Sequence, residues 1–126
     1  MSETARELLA GPNVAVLATL RADGSPHTTA VWTEAEPPHV LVATKSDTVK
    51  AKNVTADPRV GLTVFDSKDP YLELNLSGRV VGTEPGRPVI DRLSAVYYGE
   101  TPYPLYREGD EWIALQIEIE RWRTNR

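Results

Sequence analysis

Cysteine is absent from the chain, and with it go disulfides, thiol nucleophiles and thiolate-held metals or clusters. That absence fits a reducing cytoplasm, where we place the protein. Histidine is nearly absent too. His27 and His39 each open a strand-like run with no third nitrogen or sulfur ligand near in sequence, so no metal site is expected. No nucleophile-elbow motif is present. Paired carboxylates fall only on alternating, solvent-type positions such as Glu118 and Glu120, which read as a wet sheet face. No apolar run approaches the roughly 20 residues of a membrane span. The opening MSETARELLAG lacks the basic start and long apolar stretch of a signal peptide. The net charge of −4 argues against broad nucleic-acid binding. What these absences leave is a soluble domain that neither spans a membrane nor binds nucleic acid.

What is present is an ordinary globular composition, 40% hydrophobic and 25% charged over 126 residues, enough for one domain spanning 1–126. Thr4 with Glu7 three residues on has the spacing of a capping box, and Gly11–Pro12 ends the short helix it would start. Residues 13–20 are almost continuously apolar, as in a strand covered on both faces. Asp23–Gly24 predicts a hairpin in which both turn positions take positive φ, with 27–34 as the return strand. Further strands are expected over 39–44, 59–66, 71–81 and 111–123, with helices over 47–56 and 85–99, the second with Val89, Ile90, Leu93, Val96 and Tyr97 on one apolar face. Gly78 interrupts the alternation of Leu72, Leu74 and Leu76, which suggests a bulge or sharp bend. The fold class is therefore mainly β: a six-stranded antiparallel barrel, closed or split, with short helices.

The stretch 40–59, VLVATKSDTVKAKNVTADPR, carries the best candidate chemistry. A buried strand feeds a hydroxyl-rich helix start, Ser46–Asp47–Thr48, followed by lysines, which suits an anionic group. The window is locally basic in an acidic protein. At about 100° per residue, Lys50, Asn53 and Val54 share one side of the helix and Lys52 points nearly opposite. The plain alternative is a lysine-solubilised exposed helix. Trp32, among threonines on a strand, would stack on a flat ligand, fill a subunit interface or pack in the core. Trp122, between Arg121 and Arg123, suggests a contact with a partner chain or an anionic ligand. The loop Pro102–Tyr106 could line a substrate entrance or serve in packing.

Taken in order, Val14–Arg21, Asp23–His27, Val31–Trp32, Thr44, Lys50–Asn53, Asp57–Arg59, Gly78–Val80 and Ile117–Trp122 resemble the pyridoxamine 5′-phosphate oxidase-like split-barrel flavoproteins. Within them the chain looks most like the actinobacterial branch that uses the deazaflavin coenzyme F420. The resemblance implies a homodimer with cofactor sites in the grooves between subunits. It implies a phosphate held by Lys50 with Ser46, Thr48, Lys52 and Asn53, and a tricyclic ring lying near Thr29, Ala30, Val31, Trp32 and Thr44. Residues of the other subunit, around Trp122 or Tyr71, would close the pocket. The implied activity is an F420-dependent reductase that transfers a hydride to a small organic acceptor, with no catalytic side chain needed beyond those that position the cofactor. The arginine- and histidine-rich C-terminal region that recognises substrate in true pyridoxamine phosphate oxidases has no counterpart here. The basic cluster is modest for the polyglutamate tail of F420, so FMN is the alternative cofactor. A binding protein that holds flavin, deazaflavin or haem without turnover is the non-enzymatic alternative.

Overall fold

A computed structural model describes all residues 1–126 as one curled, seven-stranded antiparallel sheet with three short helices. In chain order the elements are α1 (Glu3–Ala10), β1 (Ala15–Leu20), β2 (Pro26–Val31), β3 (Thr33–Glu36), β4 (His39–Lys45), α2 (Val49–Ala56), β5 (Arg59–Phe65), β6 (Glu73–Pro85), α3 (Gly86–Tyr97) and β7 (Trp112–Thr124). The strands lie in the order β2-β1-β5-β6-β7-β4-β3.

The expected six strands become seven because the run 27–34 is not one strand. It breaks at Trp32. β2 pairs with β1 through Val31↔Ala15, and β3 pairs with β4 starting at Thr33↔Val42. One residue therefore carries the chain from one edge of the sheet to the other. The barrel is closed at this seam by chain continuity and side chains, not by a ladder of hydrogen bonds. The Tyr97 hydroxyl, at the end of α3, bridges the seam: it donates to the Asn13 carbonyl at 2.9 Å and accepts from the Thr33 N–H at 3.3 Å. Tyr97→Phe removes both partners and leaves a part-buried carbonyl and amide unmatched. It should lower unfolding free energy by about 1–3 kcal/mol, read as a lower urea midpoint at unchanged slope; an unchanged midpoint would show the seam holds without it.

Alternation decides which side chains meet. Ala15, Leu17, Val40, Val42, Val60, Leu62, Val64, Leu74, Leu76, Leu115 and Ile117 point into the curl, and α1 plugs its interior with Ala5, Leu8 and Leu9. The opposite face of β4 and β7 is covered by α3, so Leu41 and Ala114 pack on Val89, Ile90 and Leu93 in a second cluster. β4 is consequently buried on both faces. Its far end, Thr44–Lys45, emerges where α2 begins.

Three local expectations need correcting. The first helix is capped by Ser2, whose hydroxyl accepts from the Ala5 N–H at 3.2 Å, and not by Thr4 with Glu7. In the β1–β2 hairpin only Gly24 has positive φ, at 85°. Arg21 and Ser25 close a three-residue loop in which Gly24 is the left-handed residue, and Asp23 accepts from the Ser25 N–H and hydroxyl. That pairing holds the Asp23 carboxyl below the usual carboxylate range. In α3, Val96 is exposed and not part of the apolar face.

Gly78 does mark an irregularity. The β6–β7 register shifts between Ser77 and Gly78, where β7 carries the extra residue Glu120, and again between Val80 and Gly82, where Val81 is extra. These two bulges bend the long β6–β7 ribbon around the core.

Candidate functional site

The N-terminus of α2 is built by hydroxyls. The Thr48 side chain caps the helix by accepting from the Ala51 N–H at 3.3 Å, shares a 2.9 Å hydrogen bond with the Thr44 hydroxyl, and reaches the Lys45 carbonyl at 3.0 Å. The backbone N–H groups of Val49 and Lys50 have no partner in the chain, as at any helix start. Lys50 is half-buried, and this burial lowers its pKa from the ordinary lysine value. Lys45 sits beside it, 4.0 Å from Asp110.

Thr44, Lys45, Thr48 and Lys50 line a cleft of about 320 Å³, near the lower end of the roughly 300–1,000 Å³ typical of ligand pockets. It runs along the seam of the barrel. Ala30, Val31 and Trp32 line it from the end of β2, Ala43 and Thr44 from β4, and Ile90, Tyr98, Tyr103 and Trp112 from α3, the following loop and β7. The cleft wall thus combines two lysines and two threonine hydroxyls with four aromatic side chains.

The aromatic side chains form a packed cluster. Trp32 stacks on Tyr97 with centroids 4.8 Å apart and meets Tyr98 edge-on at 4.6 Å; Tyr103 contacts Trp112 at 5.5 Å. Trp32 therefore combines a packing role with a place on the cleft wall. The loop after α3 is pinned by Asp91, which accepts from the Tyr103 N–H and the Tyr106 hydroxyl, each at 2.9 Å. Burial, helped by Asp91, pushes the Tyr106 phenol up to about 12, and burial raises Tyr97 and Tyr103 as well. These phenols are neutral donors at physiological pH, not bases.

Of the residues singled out from the sequence, the fold brings Ala30, Val31, Trp32, Thr44, Thr48 and Lys50 to this cleft. Thr29, Ser46, Lys52, Asn53 and Trp122 lie elsewhere. Thr29 faces Leu17 across the β1–β2 ladder. Ser46 donates its N–H to the Glu111 carbonyl just beyond the cleft, and Lys52 is on the exposed side of α2. Asn53 shares the inner side of the helix, where its amide donates to the buried Thr19 hydroxyl at 3.0 Å and ties α2 to β1. Trp122, 39% exposed, lines a separate groove on the β6–β7 ribbon with Asn75, Ser77, Arg121 and Arg123. Lys45, Ala43, Ile90, Tyr98 and Trp112 are cleft residues that local patterning did not mark as ligand contacts. Trp112 reaches the cleft because it pairs with Lys45 across β4 and β7, a register joining positions 67 residues apart.

No group of three histidine, aspartate or glutamate side chains comes together that could hold a metal ion. No helix is long and apolar enough to cross a membrane. What the cleft can do is fix a flat molecule carrying an anionic arm.

Comparison with known proteins agrees with this architecture. The chain is 32% identical over 122 residues to the F420H(2)-dependent biliverdin reductase of Mycobacterium tuberculosis (strain CDC 1551 / Oshkosh), covering 96% of this chain and 85% of that protein. Its fold matches a solved F420 reductase with a TM-score of 0.86 at 24% identity, over 98% of each chain. It also matches a protein of unknown function from Agrobacterium tumefaciens str. C58, with a TM-score of 0.76 at 26% identity over 97% of this chain and 54% of that one. The family model described as pyridoxamine 5′-phosphate oxidase matches residues 1–126 throughout, and the chain belongs to that family.

Proposed function

We propose that the protein is an F420-dependent oxidoreductase of the actinobacterial branch, and that the seam cleft holds the cofactor. The observation that carries this reading is the meeting, in one cleft, of the half-buried Lys50 at the start of α2 with an aromatic wall. The donor set fits a phosphate-bearing cofactor: the Lys50 N–H and ammonium serve the phosphate, while Ala30, Val31 and Ala43 leave room for a planar ring. The F420H(2) dependence of the mycobacterial relative supports F420 over FMN. When bound, reduced F420 supplies the hydride; this chain orients the ring and the acceptor and excludes water between them.

We also infer a cytoplasmic homodimer that places a cofactor site at the subunit interface. β1 supports the dimer. Its inner residues Ala15, Leu17 and Thr19 are buried, yet its outer residues Val16, Ala18 and Leu20 are also apolar and remain half-exposed in the single chain. A partner seated there would cover them and bring its own side chains, Trp122 or Tyr71 among them, near the cleft.

Side-by-side titration with F420 and FMN tests the assignment. Quenching of F420 fluorescence with a dissociation constant in the micromolar range or tighter is expected, with weaker FMN uptake. Preferential FMN binding would shift the protein to the flavin alternative, and no binding of either would remove the reading.

A further inference from the structure

α2 has little apolar surface to hold it: Ala51 and Val54 are its buried residues. Apolar burial is non-directional, so two small side chains do little to set how far the helix is turned about its axis. That angle matters for Lys50. At a side-chain radius of roughly 5–6 Å, about 10° of turn moves a tip by about 1 Å. A charge-assisted hydrogen bond of about 2.7–2.9 Å is lost within one or two such steps.

Two side-chain hydrogen bonds supply the missing direction. At the start of α2 the Thr48 hydroxyl shares a 2.9 Å hydrogen bond with that of Thr44 on β4. Further along, the Asn53 amide donates to the Thr19 hydroxyl of β1 at 3.0 Å. β4 and β1 lie on opposite sides of the seam, so α2 is stitched across it. Lys50 sits between the two stitches, three residues before Asn53 and on the same side of the helix. Thr19 is 1% exposed, which fixes the acceptor in the barrel wall. Neither Asn53 nor Thr19 lines the cleft that Lys50 enters.

We propose that Asn53, through its hydrogen bond to Thr19, is the positioning residue for Lys50: it sets the rotation of α2 that directs the lysine into the cleft. An amide suits that task, because it donates directionally and carries no charge to draw an anion away from Lys50. The inference rests on Lys50 being a cofactor contact, as proposed above.

The test separates hydroxyl from packing at position 19, on the full chain. Thr19→Val keeps the shape and deletes the acceptor; Thr19→Ser keeps the acceptor and opens a methyl-sized void. Expected is a roughly tenfold loss of F420 affinity for Thr19→Val, part of the one to two decades carried by Lys50, with Thr19→Ser changed by less than about twofold. Asn53→Ala should match Thr19→Val, and on a Lys50→Ala background neither should cost more than about twofold. Affinity that follows the unfolding midpoint across these variants, and not the hydroxyl, would mean a packing role and overturn the proposal. So would a Thr19→Val loss that persists without Lys50, or no loss at all. The free protein gives an independent readout by NMR with isotope-labelled lysine. The Lys50 amine should titrate closer to 10.5 in Thr19→Val than in the wild type, because a released side chain gains solvent. If the wild type fails to bind F420 while that shift is seen, the cofactor reading fails and Asn53 keeps its role in aiming Lys50. An unchanged titration removes that role.

Discussion

Gly78→Ala is expected to destabilise the protein by about 3–5 kcal/mol, the range in which single substitutions become exceptional. A Cβ at this position would lie 1.9 Å from the Glu118 carbonyl oxygen and 3.3 Å from the Ile119 Cα. Both obstacles are backbone, so no rotamer change relieves them. The φ of Gly78 is not in the left-handed region; what the site demands is closeness of two strands, not conformational freedom. The clash falls at the register shift where Glu120 bulges from β7, so relief would need β6 and β7 to separate at the bend that wraps them around Leu76 and Ile117. Against a usual total of about 5–15 kcal/mol, most of the stability would go. Urea unfolding followed by far-UV circular dichroism measures this. Gly61→Ala is the internal comparison, because its Cβ meets only the Ala18 Cβ at 3.9 Å. A Gly78 variant as stable as the Gly61 variant would refute the close approach.

Lys50→Ala is expected to weaken F420 binding by one to two decades, since a charge-assisted contact is worth about 1.5–3 kcal/mol. Lys52→Ala, on the exposed side of α2, should cost far less; equal losses would remove the assignment of the phosphate to the Lys50 side. The two effects of Lys50 on the free protein and on the complex have opposite signs. Burial lowers its pKa, so the charged form is held at a cost in the folded chain. The unfolded chain then binds more protons between the folded value and 10.5, and stability rises with pH across that window. Removing the lysine should therefore leave the unliganded protein no less stable, while ligand affinity falls. By the same sign, F420 binding to the wild type should begin to fail as pH rises through a value below 10.5, earlier than an exposed lysine would allow.

Much of the architecture was legible because strand alternation is a local signal. Ile113, Leu115, Ile117 and Ile119 alternate, and Thr48 reads as a cap within its own segment. Lys50 was identifiable for the same reason, since helix periodicity alone separates it from Lys52. The seventh strand was not legible. His27–Glu34 is uniformly β-prone, with no glycine or proline at Trp32, and the break comes from which neighbour each half pairs with. Trp112 and Tyr98 escaped notice as cleft residues for a related reason. Their position depends on β7 pairing with β4 and on α3 covering β4, contacts between segments far apart in the chain. Asn53 illustrates the converse: periodicity put it on the right side of α2, and only the fold shows its amide engaged with Thr19.

The central place of β7 has a consequence for how the chain matures. The strand that follows all the others in this sequence is the one that lies between β6 and β4. Until Trp112–Thr124 leaves the ribosome, the rest forms at most two separate ladders, β2-β1-β5-β6 and β4-β3, tethered through Trp32. Each exposes an apolar strand with its hydrogen-bonding edge unmet, the arrangement most prone to pairing with another chain. Folding is then gated by synthesis of β7 (Trp112–Thr124), and the interval before its arrival is when the nascent domain most needs protection.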